Sequence, residues 1–207
     1  MRIAIFSLGF VDYTIQLANA LAEIEEVVLI LPKNNVSIEQ EKRISQKIMK
    51  KLVYKPKASH PSHIFMIFEV RKILNFFKPD VVHIQMGYLW SWCILNLFRK
   101  YKVITTIHDV SEHPGEISIE RKIISYLSRI YSDAFILHGN KLKKYFLKKY
   151  NVKKNVYVIP HGNFEIYQTK EKFVEKKNWI LFFGRIYTYK GLKYLIKAEP
   201  FIRKEIK

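Results

Sequence analysis

The sequence predicts an α/β protein built on a doubly wound parallel sheet. Two observations carry that prediction. Short apolar runs rich in β-branched residues recur along the chain, as buried strands do, and stretches with apolar residues at helical spacing separate them. The alternation of strand and helix continues for most of the 207 residues, and that pattern is the signature of parallel strands joined by crossover helices.

Arg2-Ile3-Ala4-Ile5-Phe6-Ser7 is the first such run, and it ends in a turn at Leu8-Gly9-Phe10. Ile15, Leu17, Leu21 and Ile24 follow at near-helical spacing, and residues 27–31 form a second buried strand stopped by Pro32. Residues 34–60 are polar and basic. Within them Ile44, Ile48 and Leu52 sit four apart, which predicts an amphipathic helix with a Lys-rich outer face. A further helix over 64–77 ends at Lys78-Pro79-Asp80. The unit then repeats: strand 81–84, helix 88–100, strand 103–107, helix 119–131, strand 134–137, helix 141–150 and strand 156–159.

Residues 1–167 therefore read as one doubly wound domain. Residues 168–178 are charged, with little apolar periodicity, and read as a linker. Trp179-Ile180-Leu181-Phe182-Phe183 is a new apolar run, expected to be a strand, and residues 191–206 read as a helix interrupted by Pro200. One strand and one helix cannot bury their own faces. This piece is expected either to pack on the large domain or to be completed by another polypeptide.

The formal net charge is +18, from 36 Lys and Arg against 18 Asp and Glu. Such a field attracts anionic partners, although abundant Lys, Ile, Asn, Tyr and Phe also reflect compositional bias. Nucleic acid is disfavoured as a partner, because no recognition motif accompanies the charge. Lys141, Lys143, Lys144, Lys148 and Lys149 share one predicted helix with Leu142, Tyr145, Phe146 and Leu147, which suits an anionic membrane surface or a solvated face. The single cysteine, Cys93, excludes an intramolecular disulfide and fits a reducing compartment. The N-terminal apolar stretch is too short for a signal peptide, and the longest apolar-rich run, 88–98, is well below the roughly 20 residues of a spanning helix. The expectation is a cytoplasmic protein, associated peripherally with a membrane if with any.

In open α/β sheets, ligands bind beyond the carboxyl ends of the strands. The residues there are Gly9, Phe10 and Asp12; His83 and Gln85; His108, Asp109 and His113; His138, Gly139 and Asn140; His161 and Gly162; and Gly184 with Arg185. Five of the seven histidines, at 83, 108, 113, 138 and 161, fall at these ends. His108 and His113 with Asp109 have a spacing that could suit a metal, but no third strong ligand is evident, so no metal is expected. A histidine beside an aspartate serves as a hydrogen-bonding pair or general acid/base, or else simply holds a loop. The first turn lacks G-x-G-x-x-G and the chain lacks a phosphate loop, which argues against nicotinamide and P-loop chemistry and predicts no cofactor. In Gly184-Arg185-Ile186-Tyr187-Thr188-Tyr189-Lys190-Gly191, a fork donor follows a strand and a lysine opens a helix, the parts needed to hold a diphosphate.

Lys78-Pro79-Asp80-Val81-Val82-His83, Thr105-Thr106-Ile107-His108-Asp109, Ser132-Asp133-Ala134-Phe135, Val158-Ile159-Pro160-His161-Gly162, Phe183-Gly184-Arg185 and Lys190-Gly191-Leu192 follow one another in order. Together they resemble the retaining glycosyltransferases of family four, with the GT-B fold. The resemblance implies two Rossmann-like domains facing a cleft, here with the second truncated. It implies a nucleotide-diphosphate sugar as co-substrate, a saccharide or lipid-linked acceptor, and hexosyl transfer with retention and usually without metal. It places Gly9 near the acceptor and the donor phosphates, His108 with Asp109 at the transferred sugar, and Arg185 and Lys190 on the diphosphate. Phe10, Asp12, His83, Gln85, His113, Gly139, Asn140, His161 and Gly162 become cleft-lining residues. The family's E-x(7)-E motif belongs downstream; Glu112 and Glu120 have that spacing but lie in the first domain. The chain by itself is therefore expected not to turn over, and a separate polypeptide could supply the rest of the donor site; the alternative is a non-catalytic remnant or a binding or regulatory protein that retains the acceptor domain.

Overall fold

The computed structural model describes residues 1–57, 60–86, 101–111, 118–163, 174, 176–177, 179–184 and 186–205. The chain divides into two units, Met1–Val110 with Ser118–Tyr167, and Ser111–Ile117 with Gln168–Lys207. The first is the predicted doubly wound domain. Its strands are β1 (Arg2–Ser7), β2 (Glu26–Pro32), β3 (Met49–Val53), β4 (Val81–Met86), β5 (Lys102–Ile107), β6 (Ala134–Leu137) and β7 (Asn155–Val158). Helices α1 (Val11–Leu21), α2 (Ile38–Lys42), α3 (His63–Phe77), α4 (Ile119–Tyr131) and α5 (Asn140–Tyr150) alternate with them. All seven strands join one sheet in the order β3-β2-β1-β4-β5-β6-β7, and every pairing is parallel. The chain winds outward in both directions from the β1/β4 boundary, which makes that boundary the topological switch point.

Strand alternation sorts the core into two layers. Ala4, Phe6, Val28, Ile30, Val82 and Ile84 face one side, where Met66, Val70, Leu74 and Phe77 of α3 cover them. Ile3, Ile5, Val27, Leu29 and Leu31 face the other, under Val11, Ile15 and Ala18 of α1. Ile15 is fully buried, and burying such a side chain is worth about 1.5–3 kcal/mol. A third cluster seats Phe146 of α5 on Phe135, Leu137 and Val156.

Acids staple the edge where the strands begin. Asp80 precedes β4, accepts from the Arg2 N–H at 2.7 Å and donates its own N–H to the Arg2 carbonyl at 2.8 Å. Asp133 precedes β6 and repeats the device on Val103, at 2.8 Å in both directions. These aspartates are the acids of Lys78-Pro79-Asp80 and Ser132-Asp133-Ala134, so each piece of pattern holds a strand in register.

Three sequence expectations are corrected. The spacing of Ile44, Ile48 and Leu52 does not make a helix. The structure places α2 earlier and runs Met49–Val53 as the edge strand β3 along β2, with Met49 opposite Val28 and Val53 opposite Pro32. Ile48 is buried and Ile44 and Leu52 pack beside it on the α1 side of the sheet, a burial that a loop-and-strand path achieves as well as a helix. The capping box of Ser37 and Gln40 explains why the helix starts at Ile38. The expected helix at 88–100 lies outside the described residues.

The second correction concerns residues 179–183. They form no strand, and Trp179, Leu181 and Phe183 are exposed at 74%, 84% and 84%. A strand exists only with a partner to complete its ladder, and no partner lies beside them among the described residues. The second unit instead holds a 3-10 turn at Thr188–Lys190 and helix α6 (Leu192–Glu205). The third correction is Pro200, which lies inside α6 rather than interrupting it. Most of the predicted linker, 168–178, is outside the described residues.

Candidate functional site at the carboxyl edge of the sheet

The strands end together beyond the switch point, and the loops after β1, β5, β6 and β7, above the end of β4, bring side chains from distant positions into one cluster. The first loop is shaped by Phe10, which takes the left-handed conformation with φ 47° and ψ 42° just before α1. That conformation costs a non-glycine residue on the order of 1 kcal/mol. It is held by Thr14, whose N–H and hydroxyl both donate to the Phe10 carbonyl, at 2.9 and 2.8 Å. Phe10, and not Gly9, is the left-handed residue of this turn. Gly9 is instead tied to Ser7 by hydrogen bonds through the Ser7 hydroxyl.

The turn lays the Phe10 ring over His108, stacked at 4.3 Å and 27°. One turn into α1, Tyr13 meets His108, His138 and His161 at centroid distances of 5.4, 5.7 and 4.5 Å. The three imidazoles also meet one another, with His108 and His161 on either side of His138 at 5.0 and 4.9 Å. One ring nitrogen from each lies within 4.8 Å of the others.

Beneath the cluster runs a polar relay. His108 donates from Nε2 to Gln85 Oε1 at 3.2 Å, and Gln85 Nε2 donates to His83 Nε2 at 3.0 Å. The Thr106 hydroxyl lies 2.9 Å from the same His83 nitrogen. In this arrangement His108 carries its proton on Nε2 and keeps its lone pair on Nδ1. Burial, and then the neighbouring His138 and His161 rings, push the His108 pKa down to about 4. Burial alone pushes His83 to about 4 as well. Both are neutral at pH 7, so the relay can orient a proton without carrying charge.

The predicted site residues separate into groups. Phe10, His108, His161 and Gly162 reach the cluster. His83 and Gln85 are 8% and 1% exposed and lie beneath the cluster, as their place inside β4 requires. Asp12 is engaged elsewhere, accepting from Gln40 of α2 at 2.9 Å. His108 finds Gln85 as its ring partner, and the adjacent Asp109 is exposed. Gly139 and Asn140 open α5, and a Cβ built at Gly139 would meet nothing within 4 Å. Lys190 sits in the second unit, with its ammonium 5.4 Å from the Tyr189 ring. His113, Glu112 and Arg185 lie outside the described residues.

Sequence reasoning missed three participants. Tyr13 is legible only as the residue one helical turn after Phe10. His138 was placed at a strand end but not among the site residues; its Nδ1 donates to the Ile159 carbonyl at 3.0 Å, a contact that needs β7 beside β6. Lys55, two residues past β3, donates to the Leu8 carbonyl at 3.3 Å and brings a half-buried cation to the end of β1. Burial lowers its pKa, with Glu120 acting in the opposite sense.

No curated protein sequence matches the chain. Among solved structures, HepE of Anabaena in complex with UDP and glucose is similar with a TM-score of 0.55 and 12% identity, covering 79% of this chain and 45% of HepE. The UDP-GlcNAc 2-epimerase of Methanocaldococcus jannaschii aligns with a TM-score of 0.56 and 16% identity, over 76% of this chain and 45% of the epimerase. UGT73P12 of Glycyrrhiza uralensis, solved with glycyrrhetinic acid 3-O-monoglucuronide, gives 0.54 and 12%, over 80% and 49%. The chain thus spans less than half the length of each of these proteins, and at such identity the likeness shows a shared fold. The model of Glycosyltransferase Family 4 matches residues 9–162, from the turn after β1 to the loop after β7. Because that match spans most of the chain and every strand end that builds the cluster, the chain belongs to Glycosyltransferase Family 4.

Proposed function

We propose that this chain forms the acceptor side of a retaining glycosyltransferase, which moves a hexosyl group from a nucleotide-diphosphate sugar to a saccharide or lipid-linked acceptor. The observation that carries the reading is the cluster around His108 at the switch point of a family-four domain. A neutral His108, oriented by Gln85 and stacked under Phe10, offers a lone pair to a sugar hydroxyl near the reacting centre. Asp109 follows it in sequence, Gly9 precedes Phe10, and Phe10, Tyr13 and His161 give apolar ring surface for a sugar face. Residues 1–167 are assigned to the acceptor side. Residues 168–178 are assigned as the linker, and 179–207, with Arg185 and Lys190, to the donor diphosphate. Lys141, Lys144, Lys148 and Lys149 are exposed on α5 while Phe146 is buried. That cationic row supports an acceptor presented at an anionic lipid surface. No helix among the described residues is long and apolar enough to cross a membrane.

The chain by itself is expected not to turn over; joined to a complete donor-binding domain, it is offered a panel of UDP- and GDP-sugars with saccharide and lipid-linked acceptors, and nucleotide release and the anomeric configuration of the product are read. Acceptor-dependent release with retained configuration, reduced about 100-fold or more by His108→Ala, is the expected result. Inversion, or epimerisation of the donor without transfer, would overturn the reading.

A further inference from the structure

We propose that the outer face of α3 docks on an anionic phospholipid bilayer, with Phe65 and Phe68 inserted into its surface and the cations of α3 and α5 on the headgroups. α3 packs Met66, Val70, Leu74 and Phe77 on the sheet. Its opposite side faces solvent, where a surface helix ordinarily carries polar residues. Here that side holds Ile64, Phe65, Phe68 and Phe76, exposed at 53%, 73%, 51% and 72%. A helix apolar on both sides is one that has both sides covered, and apolar side chains gathered on a surface mark an interaction site. The helix sets out from the carboxyl edge, after β3. Ile64, Phe65 and Phe68, in its first two turns, therefore stand at the end of the domain that carries the His108 cluster.

Charge selects what covers that side. Arg71 and Lys72 are exposed between Phe68 and Phe76, against the single acid of the helix, Glu69. α4 packs Leu127 and Tyr131 on the same core cluster as α3, and it exposes Ile119, Ile123, Tyr126 and Ile130 beside Arg121 and Lys122. α5 covers Phe135, which pairs with Thr105 on that same side of the sheet, and adds the exposed Lys141, Lys144, Lys148 and Lys149. The α1 side is built differently, with Tyr13, Ile15, Leu17 and Leu21 all buried or half-buried. A protein partner would need a matching set of acids. An anionic bilayer supplies headgroup phosphates for the cations, each adding attraction, and an acyl boundary for the rings of a helix lying in its plane. Lys and Arg stems suit that boundary, since they lie along apolar surface and raise their charged ends to the headgroups. The proposal deepens the acceptor-side reading and rests on it, because a lipid-linked acceptor lies in the same bilayer.

The test mixes the full chain with vesicles of phosphatidylglycerol and phosphatidylcholine and reads co-sedimentation, with no donor or acceptor present. Docking and transfer are thereby read apart: docking without transfer would count against the transferase reading alone. The expected result is binding to the mixed vesicles, weaker by about 10-fold or more on phosphatidylcholine alone. Phe65→Ser combined with Phe68→Ser should weaken binding about 10-fold or more, and that loss should persist at high salt, where headgroup attraction is screened. Lys144→Glu combined with Lys148→Glu should weaken it by about as much, at low salt only. Ile38→Ser, on α2 beside α1, should leave binding unchanged. Circular dichroism checks that each variant folds; should the phenylalanine pair fail to fold, Phe76→Ser decides, with a loss of about 3-fold or more. Wild-type binding by the folded phenylalanine variant, equal binding to both vesicle types, or no binding to either would overturn the proposal. So would a dimer in lipid-free solution that the phenylalanine variant dissociates while its vesicle binding stays unchanged, an outcome that assigns the face to a second copy of the chain.

Discussion

The two edges of the same sheet are built to opposite rules. At the edge where the strands begin, Asp80 and Asp133 each exchange two hydrogen bonds with the neighbouring strand, so their polar groups are consumed by the fold. At the edge where the strands end, imidazoles are gathered close together, and the buried Nε2 of His138 has no partner among the described residues. A stable fold spends its polar groups on itself; a binding site holds some in reserve. The difference marks the carboxyl edge as the candidate site without reference to any relative.

The largest expected effect tests how strongly the fold holds the imidazole under that edge. Buried His83 has a folded pKa of about 4 against 6.5 unfolded, so the unfolded chain binds the extra proton between those values. Stability from this group is therefore complete above pH 6.5 and is lost as pH falls towards 4, by about 3 kcal/mol in total. Its nearest titrating neighbour is His108, through Gln85. Urea unfolding between pH 7 and 4 should show that slope added to a similar one from His108, and His83→Gln should remove about half of the sum. An unchanged slope in the variant would move the burden to other groups.

A smaller effect is expected at the opposite edge. Asp133→Ala leaves the Val103 N–H without its acceptor and should cost about 1–3 kcal/mol in urea unfolding, with no change in ligand binding. A binding defect in that variant would break the contrast between the edges. The smallest effect is expected from Gly139→Ala. Its extended backbone and open surroundings accept a methyl group, so stability should stay within about 0.5 kcal/mol. Any loss of nucleotide-sugar or acceptor affinity would then mark Gly139 as ground where a ligand approaches.

Much of this was legible in the chain. Apolar runs and helical spacing located six of the seven strands and most of the helices, because a strand buried on both faces must be apolar wherever it pairs. The seventh, β3, was hidden. Its lysines at 50 and 51 read as a helix face, and only its position at the edge of the sheet lets both, on opposite faces, reach solvent. The strand ends, and hence His108, His138 and His161 as neighbours of a common edge, follow from the same runs.

The sequence by itself determined a parallel doubly wound domain and the set of side chains delivered to its carboxyl edge, because periodicity and turn residues are local properties. The tertiary structure alone decided which of those side chains meet. The order β3-β2-β1-β4-β5-β6-β7 sets His138 between His108 and His161, sinks His83 and Gln85 beneath them, and carries Tyr13 across from α1. It also left residues 179–183 without a strand, since a ladder needs a partner that local sequence cannot provide. Side-chain meetings of that kind depend on strand order and crossover packing, which are long-range choices written in no single segment of the chain.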